Sequence, residues 1–175
     1  MKIFKKRTIN DDDHRMLKQI FNRSCLLFTS FNMVNYQGLG YAYALIPAID
    51  RYYKDNETKR IEALKNSTSF FNCTYETAPF VIGIDAAMEK ENAENENFDI
   101  NSINSIKASL MGPMSAIGDS VFWGVVRTVA AAVGISLGLT GNILGPILFI
   151  VLYTIISWYS RWKLLNVGFT GGSKI

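Results

Sequence analysis

The sequence predicts an all-α membrane protein, with amphipathic or re-entrant helices in its N-terminal part and a hydrophobic helical hairpin after them. Three observations carry that prediction. Apolar residues make up 49% of the 175 residues and charged residues only 19%, a high ratio for a water-soluble domain. Residues 128–160 contain no charged side chain. Two stretches, 121–139 and 143–160, each reach the roughly 18–20 residues that a helix needs to cross a bilayer, and GNILGP supplies turn residues at their junction. The competing architecture is a soluble all-α protein that buries the same hairpin.

Thr8-Ile-Asn-Asp11 reads as a capping signal, and Asp11, Asp12 and Asp13 suit the positive end of a helix dipole, so a helix is expected to begin there. Leu17, Ile20, Phe21, Leu27, Phe28, Phe31 and Val34 continue it as an apolar stripe interrupted by Ser24. Asn32, Asn35 and Gln37 then offer neutral hydrogen-bonding groups among aromatics, and Pro47 is expected to open or kink the following segment. Residues 58–71 predict an exposed helix with Ile61, Leu64 and Phe71 inward. Residues 78–88 are apolar but shorter than the roughly 17 residues a span requires, and are expected to be buried or re-entrant. The acidic, Asn-rich stretch 89–102 reads as an internal linker. At the end of the second span, Trp158, Tyr159, Arg161, Trp162 and Lys163 form the aromatic and basic cluster of a membrane–water boundary. The first span carries small residues, among them Gly124, Ala130, Gly134 and Gly138, which permit close approach of a partner helix.

Charge and composition exclude several functions. No basic stripe interleaved with aromatics is present, so no nucleic-acid surface is expected. Cys25 and Cys73 lie far apart without neighbouring His or Cys, which excludes a zinc-type spacing; no metal and no cofactor are expected. Lys2, Lys5, Lys6 and Arg7 place the N-terminus in the cytoplasm under the positive-inside bias.

Asp119 and Arg127 stand within one of the two most apolar stretches of the chain, where a charge costs roughly 2.5–3.5 kcal/mol on insertion scales unless it is paired, hydrated or used. Two readings are open for Asp119 and Ser120. In one, Gly112-Pro113 and Gly118 break the helix and leave a carboxylate facing a cavity, where it accepts hydrogen bonds from a polar ligand. In the other, Asp119 or Ser120 caps the span that begins near Val121. Asp119, Trp123 and Arg127 share a helix face, but about 12 Å of rise separates the two charges, so a partner chain or water is expected to satisfy Arg127. Asn35, Gln37, Asp119, Ser120 and Trp123 combine amides, a carboxylate, a hydroxyl and an aromatic face, which makes them the candidate substrate-binding residues.

LMGPMSAIGDSVFWG at 110–124, GNILGPILFIVLY at 141–153, NYQGLGYAYALIPAI at 35–49 and FFN at 70–72 together resemble the membrane component IID of mannose-type sugar phosphotransferase systems. The resemblance covers the whole chain as a single IID-like domain, 1–175, and departs from the family at Tyr75, where a proline is common. Family members are generally longer by about a hundred residues, so the chain corresponds to their N-terminal part: a fragment, a split product or a truncation.

The resemblance implies a subunit of the bacterial inner or plasma membrane that crosses it more than once. It joins a IIC membrane partner in a hetero-oligomer, moves a hexose through the lipid and presents it to a soluble IIB protein for phosphorylation. It implies no phosphoryl-transfer site on this chain. His14, the one histidine, stands beside three aspartates that oppose a phosphoryl group, and Cys73 has no adjacent base. Two alternatives come from other classes: a shortened, non-transporting membrane interaction protein that binds IIC or is recognised by bacteriocins, and an intramembrane enzyme using Asp119.

Overall fold

A computed structural model describes residues 9–95 and 97–172. Helix α1 (Asp11–Ser24) is capped by Asn10, whose side chain accepts the Asp13 N–H at 2.7 Å; Thr8 and the basic residues before it lie outside the described residues. Asp13 is buried, 3.1 Å from the Arg51 guanidinium and 3.7 Å from the Lys90 ammonium. The apolar stripe does not continue helically to Val34. Ser24 donates to the Phe21 carbonyl at 2.7 Å, and the N–H groups of Cys25, Leu26 and Leu27 bond three residues back in successive turns, an alternative to the helical ladder. Leu27 is buried in the core, whereas Phe28, Phe31 and Val34 are exposed.

Helix α2 (Gly38–Tyr52) contains Pro47 inside it, so the proline does not open the helix. Helix α3 (Glu57–Ser67) is shorter than 58–71 and turned differently: Ile61 is 56% exposed while Ala63 and Ser67 are buried. The Ser67 and Thr68 hydroxyls donate to the carbonyls of Leu64 and Lys65 and end it. Phe71 is buried, but from the extended segment after the helix, where it pairs with Tyr36. Among the described residues there are no strands, only the isolated bridges Asn32–Tyr36 and Tyr36–Phe71.

Helix α4 (Ala78–Glu94) is the buried centre of the fold. It extends six residues into the stretch 89–102 expected to link, because Glu89 and Asn92 are core residues: the Tyr53 hydroxyl donates to Glu89 Oε2 at 2.6 Å and Asn92 donates to Tyr53 at 2.7 Å. One turn earlier the Tyr41 hydroxyl donates to Asp85 Oδ2 at 2.7 Å. The Lys107 ammonium sits 4.1 Å above the Tyr41 ring and donates to Ser67 and Ser69 oxygens. Polar groups so deep are tolerated because most of their atoms satisfy one another, although Asp85 Oδ1 is buried without a hydrogen-bond partner.

From Asn101 to Gly138 the backbone is one continuous helix: α5 (Asn101–Gly118), a widened π-helical stretch (Asp119–Val126) and α6 (Arg127–Gly138). Gly112-Pro113 and Gly118 therefore do not break it. Gly141, at φ 74°, turns the chain into α7 (Leu144–Gly171). The expected hairpin is present with both arms longer than the apolar runs, and the two helices are long and apolar enough to cross a membrane. Val121, Val125, Val129, Ile135, Ile147, Ile150 and Ile155 are exposed along its outer faces, an apolar surface suited to lipid and not to water. Part of the small-residue face is used within the chain: Gly134 packs on Gly145 and Phe149 of α7.

The root of α7 is anchored in the core. Gly83 of α4 faces the Leu165 carbonyl, and Gly168 of α7 faces the Phe80 carbonyl, so the two backbones touch where they cross. Arg161 is fully buried and is no boundary anchor: it donates to the Ser24 hydroxyl at 2.8 Å and the Cys25 sulfur at 3.4 Å, tying α7 to the end of α1. Trp158 and Tyr159 remain exposed, as boundary residues would be.

Gly168→Ala is expected to destabilise the fold by roughly 1–3 kcal/mol, since its methyl group meets the Phe80 carbonyl with no flexible atom to yield. A lower midpoint of thermal unfolding in detergent checks this; an unchanged midpoint refutes the crossing as drawn. A second expectation concerns pH. Burial, aided by the Asp85 charge, pushes the Glu89 carboxyl up to about 7, so the folded state holds a proton that the unfolded chain releases. Stability is then greatest below the usual carboxyl range and declines as pH rises through about 7. Glu89→Gln, which still accepts from Tyr53, should flatten that decline, measured as thermal midpoint against pH.

Candidate functional site

A cavity of about 530 Å³ opens where the hairpin leaves the core. Three parts of the chain wall it: the extended segment Asn72–Glu76 before α4, the Asp119 and Trp123 side of the widened helix with Ser115 one turn before, and the Tyr153–Trp158 stretch of α7. Gln37 and Phe28 close the remaining side.

The segment 72–76 is held by Gln37, whose side-chain nitrogen donates to the Cys73 carbonyl at 2.9 Å and whose oxygen accepts the Cys73 N–H at 3.1 Å. This closed pair of bonds sets the floor and leaves the amide largely occupied. Thr74 then faces Gly118, where a side chain of any size would collide with it. The Thr74 hydroxyl donates to Asp119 Oδ1 at 2.7 Å and lies 3.2 Å from the Ser115 carbonyl. The helix widens over this contact, and π-type turns are frequent at functional sites. Asp119 and Trp123 face the cavity together. The Arg127 guanidinium stacks 4.3 Å from the Trp123 ring centroid, so an aromatic face of its own chain partners the cation.

Asp119 is no helix cap, because its N–H bonds to the carbonyls of Ala116 and Ser115 in an unbroken helix. Ser120 is exposed and outside the cavity lining. Asn35 is outside it too: its side chain donates to the Thr68 carbonyl at 3.0 Å, and its own carbonyl accepts from Gly38 and Phe71. That arrangement is supported by Tyr36 in the left-handed region at φ 53°. Of the five candidates, the structure brings Gln37, Asp119 and Trp123 together.

Sequence reasoning missed Glu76, Thr74, Tyr153 and Ser157. Glu76 is 2% exposed; its Oε1 accepts from the Tyr153 hydroxyl at 2.7 Å and the Ser157 hydroxyl at 3.3 Å. A signal existed for three of them: Glu76 is a lone acid before an apolar run, and Tyr153 and Ser157 are spaced one helical turn apart within an apolar span. Burial pushes the Tyr75 hydroxyl up to about 12, against the pull of Arg161, which lies 3.9 Å from its ring centroid. Burial likewise raises the Cys73 thiol, leaving it a poor nucleophile. The cavity lining contains two acids and no lysine or arginine.

The fold and the cavity define a helical membrane protein whose apolar hairpin is rooted beside a polar, acidic pocket with aromatic walls. Residues 13–175 match the family model for the PTS system mannose/fructose/sorbose family IID component, and the chain belongs to that family. It is 35% identical over 159 residues to the PTS system mannose-specific EIID component of Escherichia coli (strain K12), covering 91% of this chain and 56% of that protein. It is 43% identical over 162 residues to the fructose permease IID component of Bacillus subtilis (strain 168), covering 90% and 58%, and 42% identical over 159 residues to the sorbose-specific EIID component of Klebsiella pneumoniae, covering 91% and 58%. The chain thus spans a little over half the length of these curated relatives. A chain in the cryo-EM structure of the mannose transporter ManYZ complexed with microcin E492 superposes with a TM-score of 0.87 at 34% identity, covering 98% of this chain and 61% of that one.

Proposed function

We propose that the chain is the IID subunit of a mannose-type phosphotransferase system that, with a IIC partner, binds a hexose and carries it across a bacterial plasma membrane for phosphorylation by IIB. The observation that supports this most is the cavity at the root of the hairpin, where Asp119 meets the Trp123 face. A carboxylate accepts sugar hydroxyls and an indole covers the apolar C–H face of the ring. Gln37 shapes this site through the 72–76 segment, and the exposed apolar hairpin supplies the contact with lipid and with IIC. The chain crosses the membrane more than once, with its N-terminus in the cytoplasm.

Asp119→Asn, in the chain assembled with IIC, IIA and IIB, is expected to slow sugar uptake roughly tenfold or more, the scale of one charge-assisted hydrogen bond. Co-purification with IIC should persist, because the amide still accepts from Thr74. Uptake at the normal rate would reject Asp119 as a sugar ligand.

The phosphoryl group is expected to pass this chain by. His14 is exposed, with its ring edge-on to Trp162 at 5.5 Å between centroids, and the Cys73 thiol is buried. Radiolabelled phosphoryl donor supplied with the soluble components should leave the chain unlabelled, and His14→Ala should leave sugar phosphorylation nearly unchanged. Stoichiometric label lost in His14→Ala would overturn this expectation.

A further inference from the structure

The cavity holds a second acid that the reading above leaves unused. Glu76 is fixed from two points on α7, with Oε1 accepting from both Tyr153 and Ser157. Its other oxygen, Oε2, is buried and has no hydrogen-bond partner. A buried carboxylate oxygen without a donor is unfavourable, and Glu76 stands in the wall of a cavity from which a ligand can supply one. No lysine or arginine lines the cavity to supply one. Of the nearby guanidinium groups, Arg127 stacks on the Trp123 ring, and Arg161 meets Ser24, Cys25 and the Tyr75 ring while its Nε has no hydrogen-bond partner.

We propose that Glu76 is a second sugar-binding carboxylate, whose Oε2 accepts a hydroxyl hydrogen of the bound hexose and so helps select which sugars the site admits. This rests on the reading of the cavity as the sugar site. The geometry favours a hydroxyl-bearing ligand in particular. Asp119 on the widened helix and Glu76 ahead of α4 present acceptors from two separate elements, while Trp123 and Trp158 provide apolar faces in the same cavity. A polyol ring needs that combination: several acceptors in fixed directions around a flat apolar surface. Rigid placement by Tyr153 and Ser157 makes Oε2 a directional acceptor, and direction is what discriminates epimers.

The test uses the purified complex of the chain with its IIC partner and measures equilibrium binding of mannose, fructose and sorbose, then of each monodeoxy analogue of the tightest binder. Glu76→Gln keeps an oxygen for Tyr153 and Ser157 but replaces Oε2 with a donor. It is expected to weaken the parent sugar about tenfold or more. One monodeoxy analogue, lacking the contacted hydroxyl, should bind wild type and Glu76→Gln equally. A loss shared by all analogues, or no loss for any, would overturn the proposal, because Glu76 would then act through the fold or face bound water. Should Glu76→Gln fail to assemble, Glu76→Asp, which withdraws the carboxylate, is read the same way. If Asp119→Asn and Trp123→Ala leave sugar affinity untouched, the cavity is not the sugar site and both readings fall. If those two weaken binding while Glu76→Gln leaves every sugar unaffected, only the Glu76 proposal falls.

Discussion

Everything that gives this protein a site depends on the backbone-to-backbone crossing of α4 and α7 at Gly83 and Gly168. Helix α4 is buried along nearly its whole length, while most of α7 projects from the core as one arm of the apolar hairpin. Because the crossing lets these helices approach without side chains between them, the start of α4 and the middle of α7 come close enough for Tyr153 and Ser157 to reach Glu76. A spacing wider by one side chain would separate those groups and open the cavity wall. Arg161 reinforces the junction from the other side, as a buried cation with hydroxyl, sulfur and ring partners.

The hairpin is thereby continuous with the core and not an independent pair of helices. Its two arms are joined by their own small-residue contact at Gly134 and Gly145, leaving the outer faces apolar and exposed. The widened turn at Asp119–Val126 sits where the first arm leaves the core. There the Thr74 hydroxyl and the Asp119 carboxylate meet in place of side chains suited to lipid. Polar groups gather at this one level because protein surrounds them on several sides, which a span in contact only with lipid could not provide.

Several features were legible along the chain. The hairpin followed from two apolar runs with a turn between them, and the start of α1 from its acidic first turn. Asp119 stood out because a charge in an apolar stretch is costly unless paired, hydrated or used, and Trp123 because it shares that helix face and offers an aromatic surface. Other features were not legible, for identifiable reasons. The periodicity of Leu27, Phe28, Phe31 and Val34 imitated a continuing helix, yet Ser24 diverts the chain into turns. Residues 89–94 looked like solvent-exposed linker, yet Glu89 and Asn92 meet Tyr53 from another helix. Arg161 had the neighbours of a membrane-boundary residue, but its hydrogen-bond partners lie more than a hundred positions away in sequence. Pro113 read as a break, whereas the helix runs through it unbroken.

The sequence by itself determined the helical class, the hairpin, the family and three of the cavity's residues, because these rest on local hydrophobic pattern and on motifs read in order along the chain. Tertiary structure decided the rest. Asn35 became a latch on the Thr68 carbonyl, Gln37 a brace for segment 72–76, and Arg127 a cation stacked on its own chain's Trp123. Glu76 became a buried acid in the cavity wall. What a polar side chain does depends on the donor or acceptor that packing brings within about 3 Å of it. For these residues the partner arrives from a distant segment, or from the next turn of a helix whose course only the fold reveals.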